Sequence, residues 1–525
     1  MLALLAYTTL FVPEATAFPG PPYAHFASKA RFDESSRTVD LGYGRYQGWY
    51  NESAGLNIFQ GQVTSLLIRY AQSTTGNLRW QAPRAPDNDE DALIQADTWP
   101  AQCPQSPGAS SSYTPADNSG SSEDCLFLNV FAPATVDTKP ILPVLVYIHG
   151  GAYAQGSGKL DLTPLITNNN DSFVAVTLQY RYGYKDWQPS QAYYAFATAA
   201  GCDTKNAYLR NGSKAIFDCL VEADSATLMN ASADVSQSGS PSTWAFLPVT
   251  DGKIIQNLPS QQLARGNVNG LNMLSGHNAL EAAQFVPWNI TTIGDLVEYL
   301  QVTFPMLSNN DIAKILLYYP TNNETVNRDD PQWATTGDSD PTNLNQSTAA
   351  TGQMQRAIAI YGETTFICPS YWLAEAYSDN VNGEKSWKYQ FSIPNAYHGA
   401  DGAGFTSWPY SGEYYSPDYV LAFMQMLGNF IVNDNPSISN ALANGLSTGN
   451  TSFNPVSEWP AYSIYDPYLI DFNATCPSTK IINGLPYCTG PGQMNTFRLK
   501  NAYTWEAGRG FRCDLWKSLG ELVPE

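Results

Sequence analysis

The chain has 525 residues, 43% of them apolar, and a formal charge of −20 from 47 acidic and 27 basic side chains. That balance argues against nucleic acid or an anionic membrane as partner, since both require a basic surface. The apolar content is ample for an extensive core, and no stretch is long and apolar enough to span a bilayer.

At the N-terminus, Leu2 to Val12 form a short apolar run, and Ala15-Thr16-Ala17 is a small-x-small cleavage pattern before Phe18. Residues 1–17 therefore read as a signal peptide, which implies secretion, although the positive residues that usually open such a segment are missing; the other reading is a buried first strand or helix. Sequons at Asn51, Asn170, Asn211, Asn230, Asn289, Asn323, Asn345, Asn450 and Asn473 fit export. Eight cysteines, an even number in an exported chain with no C-x-x-C pair, point to disulfides and not to zinc. Cys103 with Cys125 and Cys202 with Cys219 enclose short loops and are the first pairs to draw. Cys368, Cys476, Cys488 and Cys513 cannot be paired from sequence. No cofactor or metal is expected: Asp87-Asn88-Asp89-Glu90-Asp91 resembles the start of a calcium loop but has Ala92 and Thr98 where Gly and Glu are needed, so it reads as a solvated acidic loop.

Gly42 to Gly61 and Ile68 to Tyr70 read as short antiparallel strands. Leu126 to Phe131, Val144 to Ile148, Phe173 to Tyr180, Leu271 to Ser275 and Trp387 to Ile393 follow as further strands. Ser190 to Ala200 and Asp418 to Ile431 carry apolar residues at helical spacing. Alternating strands and helices imply an α/β fold with a mostly parallel central sheet flanked by helices, and no linker separates independent domains, so residues 18–525 read as one domain. Val144 to Ile148, apolar throughout and closed by His149-Gly150-Gly151, read as a buried strand whose end needs backbone freedom. In α/β-hydrolases such a His-Gly-Gly turn supplies the oxyanion hole, here Gly150 and Gly151.

Ser122-Glu123-Asp124-Cys125-Leu126-Phe127-Leu128-Asn129-Val130 resembles the type-B carboxylesterase and lipase signature, and His149-Gly150-Gly151-Ala152-Tyr153 stands behind it at the family spacing. Asn57 to Gly61, Gly76 to Arg79, Gly276-His-Asn-Ala-Leu-Glu281 and Asn395-Ala-Tyr-His398-Gly399 add to the likeness, which runs from about residue 40 to the C-terminus and is nearest to secreted fungal, cholinesterase-like carboxylesterases. The resemblance implies the α/β-hydrolase fold and hydrolysis of small-molecule or lipid esters. It makes His398 the triad base, Glu281 the acid that orients it, and Arg79 with Glu123 a structural ion pair. The residue types suit the chemistry, because imidazole accepts a nucleophile's proton near neutral pH and a carboxylate fixes its tautomer.

The nucleophile is missing. Where relatives place a further strand, a Gly-x-Ser-x-Gly elbow and a helix, Arg181 runs at once into Tyr182-Gly-Tyr-Lys-Asp-Trp187, as though an internal block had been lost near 181–184. Gln62 to Leu67 look inserted, and together the two departures suggest a misassembled reading frame. Gly445-Leu-Ser447-Thr-Gly449 fits the elbow pattern without a strand before it; Ser53 lies in a sequon among the N-terminal strands; Ser157 follows the oxyanion turn. The expected result is an esterase fold without its nucleophile strand and without turnover, in which the two flanking strands either pair directly or leave a gap. The alternative is a noncatalytic cholinesterase-like binding protein.

Overall fold

In the computed structural model the described residues are 5–7, 31–33, 37–60, 68–88, 93–106, 120–134, 141–181, 187–205, 212–239, 255–320, 349–378, 383–394, 396–404, 415–482, 485–488 and 492–523, with isolated positions between these runs. They form two compact units, Leu2–Val249 and Thr250–Glu525.

The first unit carries β1 (Leu5–Tyr7), β2 (Arg31–Asp33), β3 (Thr38–Asp40), β4 (Arg45–Gln47), β5 (Trp49–Asn51), β6 (Leu56–Phe59), β7 (Leu93–Gln95), β8 (Leu128–Pro133), β9 (Val144–Ile148) and β10 (Val174–Leu178). A six-stranded sheet runs β1-β9-β10-β8-β6-β5 and a smaller one β2-β3-β4-β7. β9 and β10 pair in parallel from Val144↔Val174 to Ile148↔Leu178, and β8 runs antiparallel to β10. Strict alternation along β8 buries one face, with Phe131 inaccessible. Helices at Trp187–Ala199, Gly212–Glu222 and Ser225–Gln237 bury Phe196, Ile216, Leu220 and Leu228 together. Asp224 caps the third of them by accepting from Thr227 N at 2.9 Å.

Two sequence expectations differ from this arrangement. Ile68 to Tyr70 make a single bridge, Arg69 to Phe127, because the segment meets the sheet at only one rung. At the N-terminus, Leu5–Tyr7 lie within the expected signal peptide and pair antiparallel with β9, Leu5↔Val146 to Tyr7↔Val144. Gln62–Leu67 and the join at Tyr182–Tyr184 lie outside the described residues.

The second unit carries β11 (Asn272–Asn278), β12 (Lys385–Phe391), β13 (Tyr468–Phe472), β14 (Thr479–Ile482), β15 (Leu485–Cys488) and β16 (Arg498–Asn501). β11, β12 and β13 are parallel, β16 closes the sheet antiparallel to β13, and β14 and β15 form a separate hairpin. β9 and β11, which the sequence led us to expect on either side of an absent strand, belong to the sheets of different units among the described residues. The helix Gly352–Gly362 continues through a wider turn, Glu363–Ile367, into Cys368–Ala376. That turn places Glu363, fully buried, against Arg512 at 2.7 Å and Arg509 at 3.2 Å, with Tyr319 Oη donating at 2.7 Å. A buried carboxylate is tolerated because its partners satisfy it. Burial would raise the Glu363 pKa, but the two guanidinium groups hold it below the usual range.

Four disulfides join Cys103 to Cys125, Cys202 to Cys219, Cys368 to Cys513 and Cys476 to Cys488. No helix among the described residues is long and apolar enough to cross a membrane. Cys368–Cys513 closes a separation of 145 residues, so replacing both with Ser should cost about 3–5 kcal/mol by loop entropy. Denaturant unfolding of the double variant checks this; an unchanged midpoint would show that the link constrains little.

Candidate active site

The second unit assembles an acid and a base. β11 ends at Asn278 beside the end of β12, and the chain continues the parallel register: Ala279 N donates to Phe391 O at 2.9 Å and Leu280 N to Ala396 O at 3.0 Å. A bridge between Leu280 and Tyr397 then sets the next residues, Glu281 and His398, side by side. His398 Nδ1 lies 2.6 Å from Glu281 Oε2. Glu281 is 5% exposed, while the His398 side chain is 32% exposed, so the carboxylate faces the interior and the ring reaches the surface. Phe366 and Phe285 flank the imidazole at 4.6 and 5.3 Å between ring centres, and Gly399 beyond it takes φ +80°.

Glu281 Oε1 accepts from Asn278 N at 2.6 Å and from Asn278 Nδ2 at 3.2 Å. Asn278 Nδ2 also donates to Asp401 Oδ1 at 3.1 Å, Asp401 N returns a bond to Asn278 Oδ1 at 3.1 Å, and Tyr389 Oη donates to Asp401 Oδ2 at 2.9 Å. Burial would raise the Glu281 pKa, but the His398 hydrogen bond and charge and the Asn278 N–H outweigh it and hold it below the ordinary value. Asp401 goes the other way: burial first, then the charge of Glu281, push it up. Sequence reasoning missed Asn278 and Asp401. Their only signal was position, three residues before the acid and three after the base.

In the first unit β9 ends in the His-Gly-Gly turn. Gly151 takes φ +128°, and a Cβ there would fall 1.8 Å from Gln155 O, so only glycine fits. Ala152 and Tyr153 follow at φ +51° and +60°. Gly151 O accepts from Ala154 N and Gln155 N, whereas neither the Gly150 nor the Gly151 N–H donates to another described residue. Tyr180 Oη donates to His149 O at 2.6 Å and its ring stacks on His149 at 4.4 Å. Arg79 and Glu123 meet at 2.7 Å, and Arg79 Nη1 donates to the carbonyls of Leu220, Val221 and Ala223 at the end of Gly212–Glu222. The guanidinium thereby satisfies carbonyls that a helix terminus leaves open.

Ser447 bonds Asp418 in an exposed turn, Ser53 donates to Asn51 at 2.7 Å, and Ser157 accepts from Lys159 N and Gln179 Nε2. His277 is buried against Gln390, Ser370 and Lys388. No group of three His, Cys, Asp or Glu side chains among the described residues is placed to hold a metal ion.

The sequence profile of the Carboxylesterase family matches residues 35–187 and 184–473. "Secreted lipase 4" of Gibberella zeae is 23% identical over 75% of this chain and 81% of its own. "Inactive carboxylesterase-like protein VdtD" of Byssochlamys spectabilis is 24% identical over 60% of this chain and 68% of its own. Para-nitrobenzyl esterase of Bacillus subtilis is 38% identical over 28% of this chain and only 27% of its own length. Among solved structures, Aspergillus niger EstA superposes with a TM-score of 0.65 at 20% identity, covering 93% of this chain and 99% of that one.

The Glu281 geometry predicts a pH effect. A carboxyl held below its unfolded value contributes stability that is present above the unfolded pKa and lost as pH falls through the folded one. Glu281→Gln should therefore cost about 1.5–3 kcal/mol at neutral pH, the range for a hydrogen bond to a charged group. The deficit should shrink in acid below the ordinary glutamate range. Urea unfolding of both proteins from pH 7 to pH 3 measures it, and a deficit independent of pH would contradict the assignment.

Proposed function

Because the chain belongs to the carboxylesterase family, we propose that it descends from a secreted serine carboxylesterase or lipase and that, as encoded, it has lost its nucleophile and does not turn esters over. In a complete relative of this kind a serine attacks the ester carbonyl, a histidine in the place of His398 accepts its proton, and an acid in the place of Glu281 steadies the imidazolium. Among the described residues the Gly150 and Gly151 N–H groups have no backbone acceptor, which supports their assignment to the oxyanion. Only residues 179–186 separate β10 from the helix at Trp187, too few for a strand, an elbow and the helix behind it.

That short connection is the observation that carries the reading. The two matched stretches of the family profile also abut there, at 184–187. Val144 and Ile148, read from sequence as part of a buried strand, are 38% and 45% exposed. Residues 18–525 are taken as one catalytic-type domain, in keeping with a single solved chain that covers 93% of this one. The N-terminal 17 residues are taken as an export signal and the sequons as glycosylation sites, in line with a relative named as a secreted lipase. Noncatalytic recognition is the second reading, favoured by the relative named as inactive.

A fluorophosphonate label and a short p-nitrophenyl ester test the proposal on the purified full chain. Neither labelling nor hydrolysis is expected; labelling abolished by Ser447→Ala or Ser53→Ala would identify a nucleophile and refute it. Insertion of a relative's strand, elbow and helix between Gln179 and Tyr184 should restore labelling, and His398→Ala should abolish the restored hydrolysis. Sequencing the transcript distinguishes a real loss from a misassembled frame. On the export reading signal cleavage removes residues 1–17 and with them β1 from β9, and exposed strand edges favour aggregation. The chain starting at Phe18 should sediment as aggregate more than the full chain; equal solubility would count against a stabilising role for β1.

A further inference from the structure

Beside the last two strands of the second sheet is a cavity of about 310 Å³ lined in part by Pro394, Asp471, Asn473, Thr475, Arg498 and Trp505. Asp471 projects from β13 and is 4% exposed, yet its Oδ1 has no hydrogen-bond partner among the described residues. A buried acceptor left open is costly, so such an oxygen marks a place for a donor. Burial pushes the Asp471 carboxyl up to about 6, against hydrogen bonds from Ser392 and Asn473 and the positive charges of Lys500 and Arg498. Arg498 lies directly across the ladder from Asp471, and Lys500 stands over the Trp505 ring at 4.4 Å. The lining thus offers an acid, two cations, an amide, a hydroxyl and an aromatic ring, a mixture suited to a neutral ligand rich in hydroxyls.

The wall supplies such a ligand's attachment point. Asn473-Ala474-Thr475 is an acceptor sequon, and all three of its residues line the cavity. Asn473 Oδ1 accepts from Ala474 N at 2.9 Å, and Asn473 lines the cavity beside Asp471. The segment is held by Thr496 N to Asn473 O at 2.8 Å and Thr475 N to Met494 O at 2.9 Å. Asn289 and Asn450, by contrast, are exposed sequon asparagines that do not line it.

We propose that Asn473 carries an N-linked sugar whose first ring sits in this cavity, donating a hydroxyl to Asp471 Oδ1 and accepting from Arg498. The proposal rests on the export reading above. Attachment follows the usual transfer from a lipid-diphosphate-linked oligosaccharide: the Nδ2–C1 bond forms, the C1–O bond breaks, the lipid diphosphate leaves with the electron pair, and one amide proton passes to a base of the host transferase. The second amide hydrogen remains to donate to Asp471.

The test uses the full chain made in a fungal secretory host. Glycopeptide mapping should find Asn473 occupied, together with Asn289 or Asn450. Enzymatic release of the Asn473 sugar from the native protein should be about tenfold slower than release at those exposed sites, the effect of one to two hydrogen bonds, and equal to it after denaturation. Arg498→Gln should speed native release without changing occupancy. A bare Asn473 beside an occupied Asn289 or Asn450 overturns the proposal while sparing the export reading; no sugar at any sequon overturns both. An occupied Asn473 released as fast as the exposed sites overturns the seat in the cavity.

Discussion

Backbone hydrogen bonding along β9 decides what kind of molecule this chain forms. A strand inside a sheet must satisfy two rows of N–H and C=O groups, because leaving them open in the interior costs as much as losing the bonds. β10 satisfies one row of β9 in parallel register over all five residues. Among the described residues the other row receives Leu5–Tyr7, antiparallel and reaching no further than Val146. The second unit has its own sheet, which begins with β11, and the turn that closes β9 carries glycines at 150 and 151.

The Glu281 and His398 pair is held by buried neighbours. Glu281 is fixed by Asn278, Asn278 by Asp401, and Asp401 by Tyr389, all buried, so the acid is oriented by partners that lie behind it. Packing of the same unit is tied to a second buried carboxylate, Glu363, whose two arginines come from the C-terminal helix Trp505–Ser518. The wide turn that delivers Glu363 also delivers Phe366 to the face of His398. Scaffold and the Glu281–His398 pair therefore share one stretch of chain.

Much of this was legible in the sequence where local pattern and local physics coincide. Val144 to Ile148 read as a strand from their unbroken apolar run, and the structure gives those bounds. Helices at Trp187–Ala199 and Pro417–Asn433 lie within a few residues of the helical periodicity. Other features were out of reach. Asn278 and Asp401 have no periodicity that marks them, and their meeting depends on the register of β11 with β12. The pairing of Cys368 with Cys513 depends on the return of the C-terminal helix across 145 residues of separation.

By itself the sequence determined the family and singled out Glu281, His398, Gly150 and Gly151 as candidates, because each is written in short motifs whose chemistry depends on residue type and spacing. Only the tertiary structure decided that Glu281 faces His398 with Asn278 and Asp401 behind it, that Asp471 lies open to a cavity beside Asn473, and that the edge of β9 is met by residues from the chain's start. Those outcomes turn on which backbone groups find partners across distant stretches of chain, and hydrogen-bond satisfaction between distant segments leaves no local trace in the sequence.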